Sequence, residues 1–331
     1  MKKVLFATSA LVMTAGVAAA EVAVSGDGRM GMIYDGNDVQ FSSRARVKFT
    51  LTGESDAGLS FGGAFRVDQE SDYTAGNGAT ERSAARGTAG SVWISGTYGK
   101  LSMGDVVSAS EAAIGDLYEI GYTDGEFSGD IEELWFLTGD GENEDQGPSI
   151  LYEYTINNIS LFASASDGSD NRQCGVGAVV GYDATCNVAG DDVESDTAYS
   201  VAAKYEGSNF WASLSYSKWG DASEIGLGAE GSFNNFAVKG VYLSYEDRFF
   251  GLDEMKYTAG LGASYQMDAI LVEGFWRQDK YDLFGGDSEK FDAFGIGAEY
   301  DLGGGAVLAG GIIDSDYLED TVADMGIKFS F

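Results

Sequence analysis

The chain has 331 residues, 20 basic and 53 acidic, for a formal charge of −33. So acidic a chain lacks the cationic surface that nucleic-acid binding needs, and the absence of histidine removes Ser-His catalysis and histidine-based metal hydrolysis. Glycine is very frequent (48 residues), aromatics are plentiful and proline occurs only at Pro148, which suits long antiparallel strands rather than a disordered chain, because proline removes a ladder donor.

Residues 1–20 read as a signal peptide. Lys2 and Lys3 precede a short apolar run, and Ala18-Ala19-Ala20 supplies a small-residue cleavage site before Glu21. Without Lys2 and Lys3 the mature chain keeps 18 basic residues against 53 acidic, a net charge of −35. No later apolar stretch is long enough for a transmembrane helix.

From Glu21 onward the chain alternates with a period of two. Val22, Val24, Met30, Met32 and Tyr34 share one face, with Ser25, Asp27 and Arg29 on the other. Phe41, Ala45, Val47, Phe49 and Leu51 then alternate with Arg44, Arg46 and Lys48, and Leu59, Phe61, Phe65 and Val67 with Arg66 and Asp68. Strict alternation makes each strand apolar on one side only. Further runs are predicted near 91–98, 100–105, 149–156, 159–167, 196–206, 209–218, 223–231, 236–246, 255–265, 269–279, 291–300, 305–314 and 321–331, giving sixteen. Short turns alternate with longer acidic loops at 69–90, 106–148, 168–195, 247–254 and 280–290. An even number of such strands, with short turns on one rim and long loops on the other, predicts an all-β fold: a 16-stranded antiparallel transmembrane β-barrel over 21–331.

Arg29, Arg44, Arg46, Lys48 and Arg66 all fall on the polar face of the first three strands. That face must be the lumen, since a lipid-facing cation costs roughly 2–4 kcal/mol at the midplane. Cations so close together require compensation. The loop at 106–148 can supply it by folding inward, because no Lys or Arg occurs between Leu101 and Asn171. Its carboxylates include Asp116, Glu119, Asp124, Glu126, Asp130, Glu132 and Glu133, and its apolar anchors include Ile114, Leu117, Ile120, Tyr122 and Trp135. The expectation is a constriction with carboxylates facing guanidinium groups across a narrow aqueous gap. Within the loop, Ser108-Ala-Ser-Glu111 has the form of a capping box opening a short helix through Tyr118. Such an excess of carboxylates suits a calcium ion; a simply solvated loop is the alternative. Cys174 and Cys186 read as a disulfide clipping one loop of an exported protein, or as two incidental thiols. Nothing in the chain argues for an enzyme.

Several strings resemble the Gram-negative porin family, in particular its alphaproteobacterial general-diffusion porins. They are Glu21-Val-Ala-Val-Ser-Gly-Asp-Gly-Arg-Met-Gly-Met-Ile-Tyr, Phe41-Ser-Ser-Arg-Ala-Arg-Val, Gly115-Asp-Leu-Tyr-Glu-Ile-Gly-Tyr-Thr-Asp124 and the ending Met325-Gly-Ile-Lys-Phe-Ser-Phe331. The resemblance implies a homotrimer in outer-membrane lipid, with the third long loop folded into the pore. It implies passive diffusion of small hydrophilic solutes and ions, with no cofactor required. It matches Arg29, Arg44, Arg46 and Arg66 to the basic wall, and Glu111, Asp116, Glu119 and Asp124 to the acidic loop, where some relatives bind structural calcium. The excess of carboxylates predicts a cation preference. The competing expectation is a plugged structural or adhesive barrel without channel activity.

Overall fold

The computed structural model describes residues 21–72, 80–81, 90–138, 149–166 and 197–331. Sixteen strands run in chain order: β1 (Glu21–Tyr34), β2 (Val39–Glu54), β3 (Ser60–Asp72), β4 (Ser91–Gly96), β5 (Gly99–Gly104), β6 (Ser149–Ile156), β7 (Ile159–Ser166), β8 (Ala198–Glu206), β9 (Phe210–Trp219), β10 (Ala222–Phe233), β11 (Phe236–Glu246), β12 (Asp253–Met267), β13 (Ile270–Asp282), β14 (Ser288–Gly303), β15 (Ala306–Ser315) and β16 (Val322–Ser330). Each pairs antiparallel with its neighbour in sequence, and β1 pairs with β16 from Asp27↔Ser330 to Tyr34↔Ala323, so the sheet closes on itself. Closure leaves no unpaired edge, which a lipid setting demands. Two-residue strands at Thr80–Glu81 and Phe249–Phe250 extend hairpins beyond this wall.

The period of two sets inside and outside. In β1, Met30 is 57% exposed while its neighbour Arg29 is 5% exposed. Leu214 of β9, Leu227 of β10 and Leu261 of β12 are likewise exposed on the outer face. Tight turns such as Asn157-Asn158 and Asn234-Asn235 close one rim, with Asn157 and Asn234 at φ 54° and 53°; asparagine tolerates this left-handed geometry better than most residues.

Two of the expected long loops shrink. β12 and β13 extend to Asp253 and Asp282, and β14 begins at Ser288, so the tips are only 247–252 and 283–287. Apart from Tyr281 the extra residues are polar, and their ladder continues past the apolar alternation from which the sequence predicts strand ends. The signal peptide and the Cys174–Cys186 pair lie outside the described residues.

Candidate functional site

The segment after β5 is seated against the inner face of the wall. Helix α1 (Ala109–Ile114) is capped by Ser108, whose hydroxyl accepts the Glu111 N–H at 3.2 Å. It ends four residues before the expected Tyr118, because Gly115 (φ 64°) turns the chain away and returns its N–H to the Glu111 carbonyl. A six-residue helix is too short to stand alone. Tertiary contacts hold it: α1 lies across β7, β8, β9 and β10. Ala109 N–H donates to Ser164 Oγ at 2.9 Å, Ser110 N–H to Ser200 Oγ at 3.0 Å, and Ser110 Oγ to Glu224 Oε1 at 2.8 Å.

Glu224, fully buried on β10, also accepts the Leu137 N–H at 2.6 Å, so one carboxyl group ties both limbs of the loop to the wall. Asp324 of β16 holds the apex, accepting from Thr123 N at 2.9 Å, Thr123 Oγ1 at 2.7 Å and Tyr122 N at 3.2 Å. The return limb is fixed by two further cations. Arg277 donates to the Ile131 and Glu133 carbonyls at 2.9 and 2.6 Å, and Arg248 to the Trp135 carbonyl at 2.5 Å.

Glycines on the inner face give the loop its seat. A Cβ on Gly311 would come within 2.3 Å of Ile120, one on Gly260 within 2.9 Å of Leu117, and one on Gly326 within 2.7 Å of Tyr122. Part of the glycine excess is therefore space vacated for the loop.

Basic side chains meet the loop at its far end. Lys328, Arg29 and Arg44 stand directly opposite one another on β16, β1 and β2. Gly125 and Gly129, both left-handed (φ 91° and 76°), bracket the short 3-10 helix Glu126–Ser128. From there Glu126 forms ion pairs with Arg29 and Arg44, and Arg46 lies 3.7 Å away. Burial pushes the Glu126 carboxyl upward, but the hydrogen bond from Arg29 and the charges of Arg29, Arg44 and Arg46 outweigh it and hold the group below the ordinary glutamate value. The expected gap between opposed charges is thus bridged at this point. Three neighbouring guanidinium groups need a carboxylate in contact, not one across water. Arg46 and Arg66 additionally share Asp68, at 3.1 and 2.8 Å. Lys48 is exposed, opposite Arg66.

The other predicted acids divide by role. Asp116 accepts the Leu134 N–H at 2.7 Å, pinning one limb to the other, and Asp124 accepts from Lys328 at 2.5 Å. Glu119 is exposed to the lumen. Enclosure by the wall raises its pKa, Asp124 adds repulsion and Lys328 partly offsets both. Glu111 sits in the first turn of α1, and Asp130 and Glu133 form the turn in which the Glu133 N–H donates to the Asp130 carbonyl at 3.0 Å. Glu132 is buried against Gly125 with both carboxyl oxygens unbonded; burial pushes its pKa up to about 9. It is neutral at physiological pH. Glu111, Asp116, Glu119 and Asp124 do not converge, and among the described residues no three acidic side chains are grouped to hold a metal. Within the described part of the loop, 106–138, these four carboxylates do not form the calcium set the resemblance implies.

Sequence reasoning passed over the wall cations Lys239, which donates to the Asp116 carbonyl, Arg277 and Lys328, the tip residue Arg248, and the posts Glu224 and Asp324. The signal was available for three of the cations. Lys239, Arg277 and Lys328 lie on the polar face of alternating strands, as Arg29 does. Nothing local distinguishes Glu224 or Asp324 among so many acids.

This architecture has close counterparts. A sequence model of Gram-negative porins matches residues 7–318. A porin from Rhodobacter capsulatus is 35% identical across 94% of this chain and all of its own, and a porin from Fuscovulum blasticum is 26% identical over the same shares. A refined porin structure superposes with a TM-score of 0.71 at 31% identity, covering 94% of this chain and all of that one. A mutant porin from Rh. blastica superposes at 0.64 with 24% identity over the same shares, a likeness of fold. The chain belongs to the Gram-negative porin family.

Proposed function

We propose that this protein is a general-diffusion pore of the outer membrane, passing small hydrophilic solutes and ions down their gradients without turnover or cofactor. The observation that carries the reading is the loop itself: a charged, polar segment fastened to the inner face by Glu224, Asp324, Arg248 and Arg277, in a barrel whose outer face is apolar. Such a loop narrows a bore while leaving polar groups to line it. Family membership supports a channel rather than an enzyme, and the barrel supports an outer-membrane setting reached after cleavage near Ala20–Glu21. A homotrimer fits the family resemblance. The surplus of carboxylates over cations favours cation passage, since three of the arginines are neutralised in part by Glu126.

Single-channel recording in a planar bilayer under a salt gradient tests this. Stepwise openings in threes, with a cation-selective reversal potential, are expected. A plugged structural barrel is the second reading, favoured by the direct Glu126 contact between loop and wall; a silent bilayer with verified insertion would establish it. For the Cys174–Cys186 disulfide we expect two thiols to become alkylatable only after reduction.

A further inference from the structure

Lys328 is a wall cation to which the diffusion-pore reading assigns no role. Its ammonium lies 2.5 Å from Asp124 Oδ1 on the loop and 2.5 Å from Glu299 Oε1 on β14. Glu273 of β13 and Glu119 of the loop interact with the same ammonium. Glu273 stands opposite Gly297, two residues from Glu299, so the two wall acids are diagonal neighbours on one inner face. Asp124 from the loop and Glu299 from the wall therefore close on one amine that the chain itself supplies, and its charge also acts on Glu273 and Glu119 beyond contact distance. Lys328 and Glu299 are each about a quarter exposed, and Asp124 about a third, so the group remains open to the lumen.

Carboxylate oxygens gathered in this way are what hard divalent cations take as ligands. A divalent ion held there would stay in the bore and obstruct it, since conduction requires binding weak enough to release. We infer that Lys328 is a specificity-determining residue, a tethered counter-ion filling from within the chain the place a divalent cation would otherwise occupy between loop and wall. The inference rests on the diffusion-pore reading. It assigns Lys328 a function different from that of Arg29 and Arg44, its neighbours in the same row: those two bind the loop through Glu126, while Lys328 keeps an acid-rich stretch free of retained ions.

The test is potassium current through wild-type, Lys328→Gln and Lys328→Met channels in planar bilayers, with magnesium chloride titrated into both chambers. The magnesium concentration that halves the current should fall by about tenfold or more in both variants, as removal of one charge beside the carboxylates requires. Adding Glu299→Gln to Lys328→Gln should return it toward wild type. Lys100→Gln, which removes a cation paired with the single carboxylate Glu153 at 3.1 Å, controls for net charge and should leave magnesium sensitivity near wild type. Equal sensitivity in wild type and both Lys328 variants overturns the inference, as does equal sensitisation by Lys100→Gln. If neither Lys328 variant inserts as a heat-modifiable barrel, Lys328 is a structural strut and the assignment fails. A wild-type protein that inserts but conducts nothing refutes the pore reading itself, a separate outcome.

Discussion

Arginine at 29 does what lysine could not. Its planar fork donates to the Thr123 carbonyl at 2.7 Å through Nη1 and to Glu126 through Nη2, so one side chain grips loop backbone and loop carboxylate together. Glu126→Gln removes the loop carboxylate that Arg29, Arg44 and Arg46 meet, so the reversal potential should move toward anions, read as bi-ionic selectivity in a bilayer. The same latch has a pH signature. The folded-state pKa of Glu126 lies below its ordinary value of 4.5, so its contribution is present above that value and is lost as pH falls through the lowered pKa. The part of the selectivity that Glu126 sets should hold through mild acidity and be lost only below pH 4.5.

Glu132 has the opposite sign. Its folded-state pKa is about 9 against an ordinary 4.5, so the seated loop binds the proton more tightly than a displaced one. Stability of the seat therefore declines as pH rises from 4.5 and reaches its floor above about 9. Glu132→Gln keeps the shape without the ionisation. It should flatten the alkaline increase in current noise and in hydrogen exchange of residues 120–133.

At the scale of elements, the loop is a short helix and two extended limbs whose stability is borrowed from the wall. Ser108→Ala removes the cap on α1 and should weaken its seat by about 1 kcal/mol, seen as faster exchange of the amides at 111–113. Gly311→Val is more severe, because even its Cβ would stand 2.3 Å from Ile120 and 2.9 Å from the Gly121 nitrogen. The barrel should still close, since Gly311 remains in register with Asp324, but the loop apex should be displaced and single-channel conductance altered. Only part of this element was legible from sequence. Ser108-x-x-Glu111 announced the helix, and a cation-free run rich in apolar anchors announced inward folding. The helix end was missed because Gly115 overrides the pattern that follows it. The latch was missed because charge counting cannot separate a carboxylate facing an arginine across water from one touching it.

For the whole molecule, the alternation that made sixteen strands readable is the energetic condition of a barrel with a lipid-facing outside and a polar inside. Leu227→Arg at the centre of β10 places a cation on the outer face and should cost about 2–4 kcal/mol in urea unfolding from vesicles. Position 29, one face over, carries arginine because it points inward.

Local chemistry alone decided strand number, inner and outer faces, turn positions and the identity of the long acidic loop. Each depends on residues adjacent in sequence: a period of two, an asparagine turn, a run without lysine or arginine. Tertiary structure alone decided which carboxylate meets which cation. Glu126 reaches Arg29 across 97 positions and Asp124 reaches Lys328 across 204. No local period encodes such pairings, because they arise only when closure of β1 on β16 and the glycine seats fix where the loop can lie.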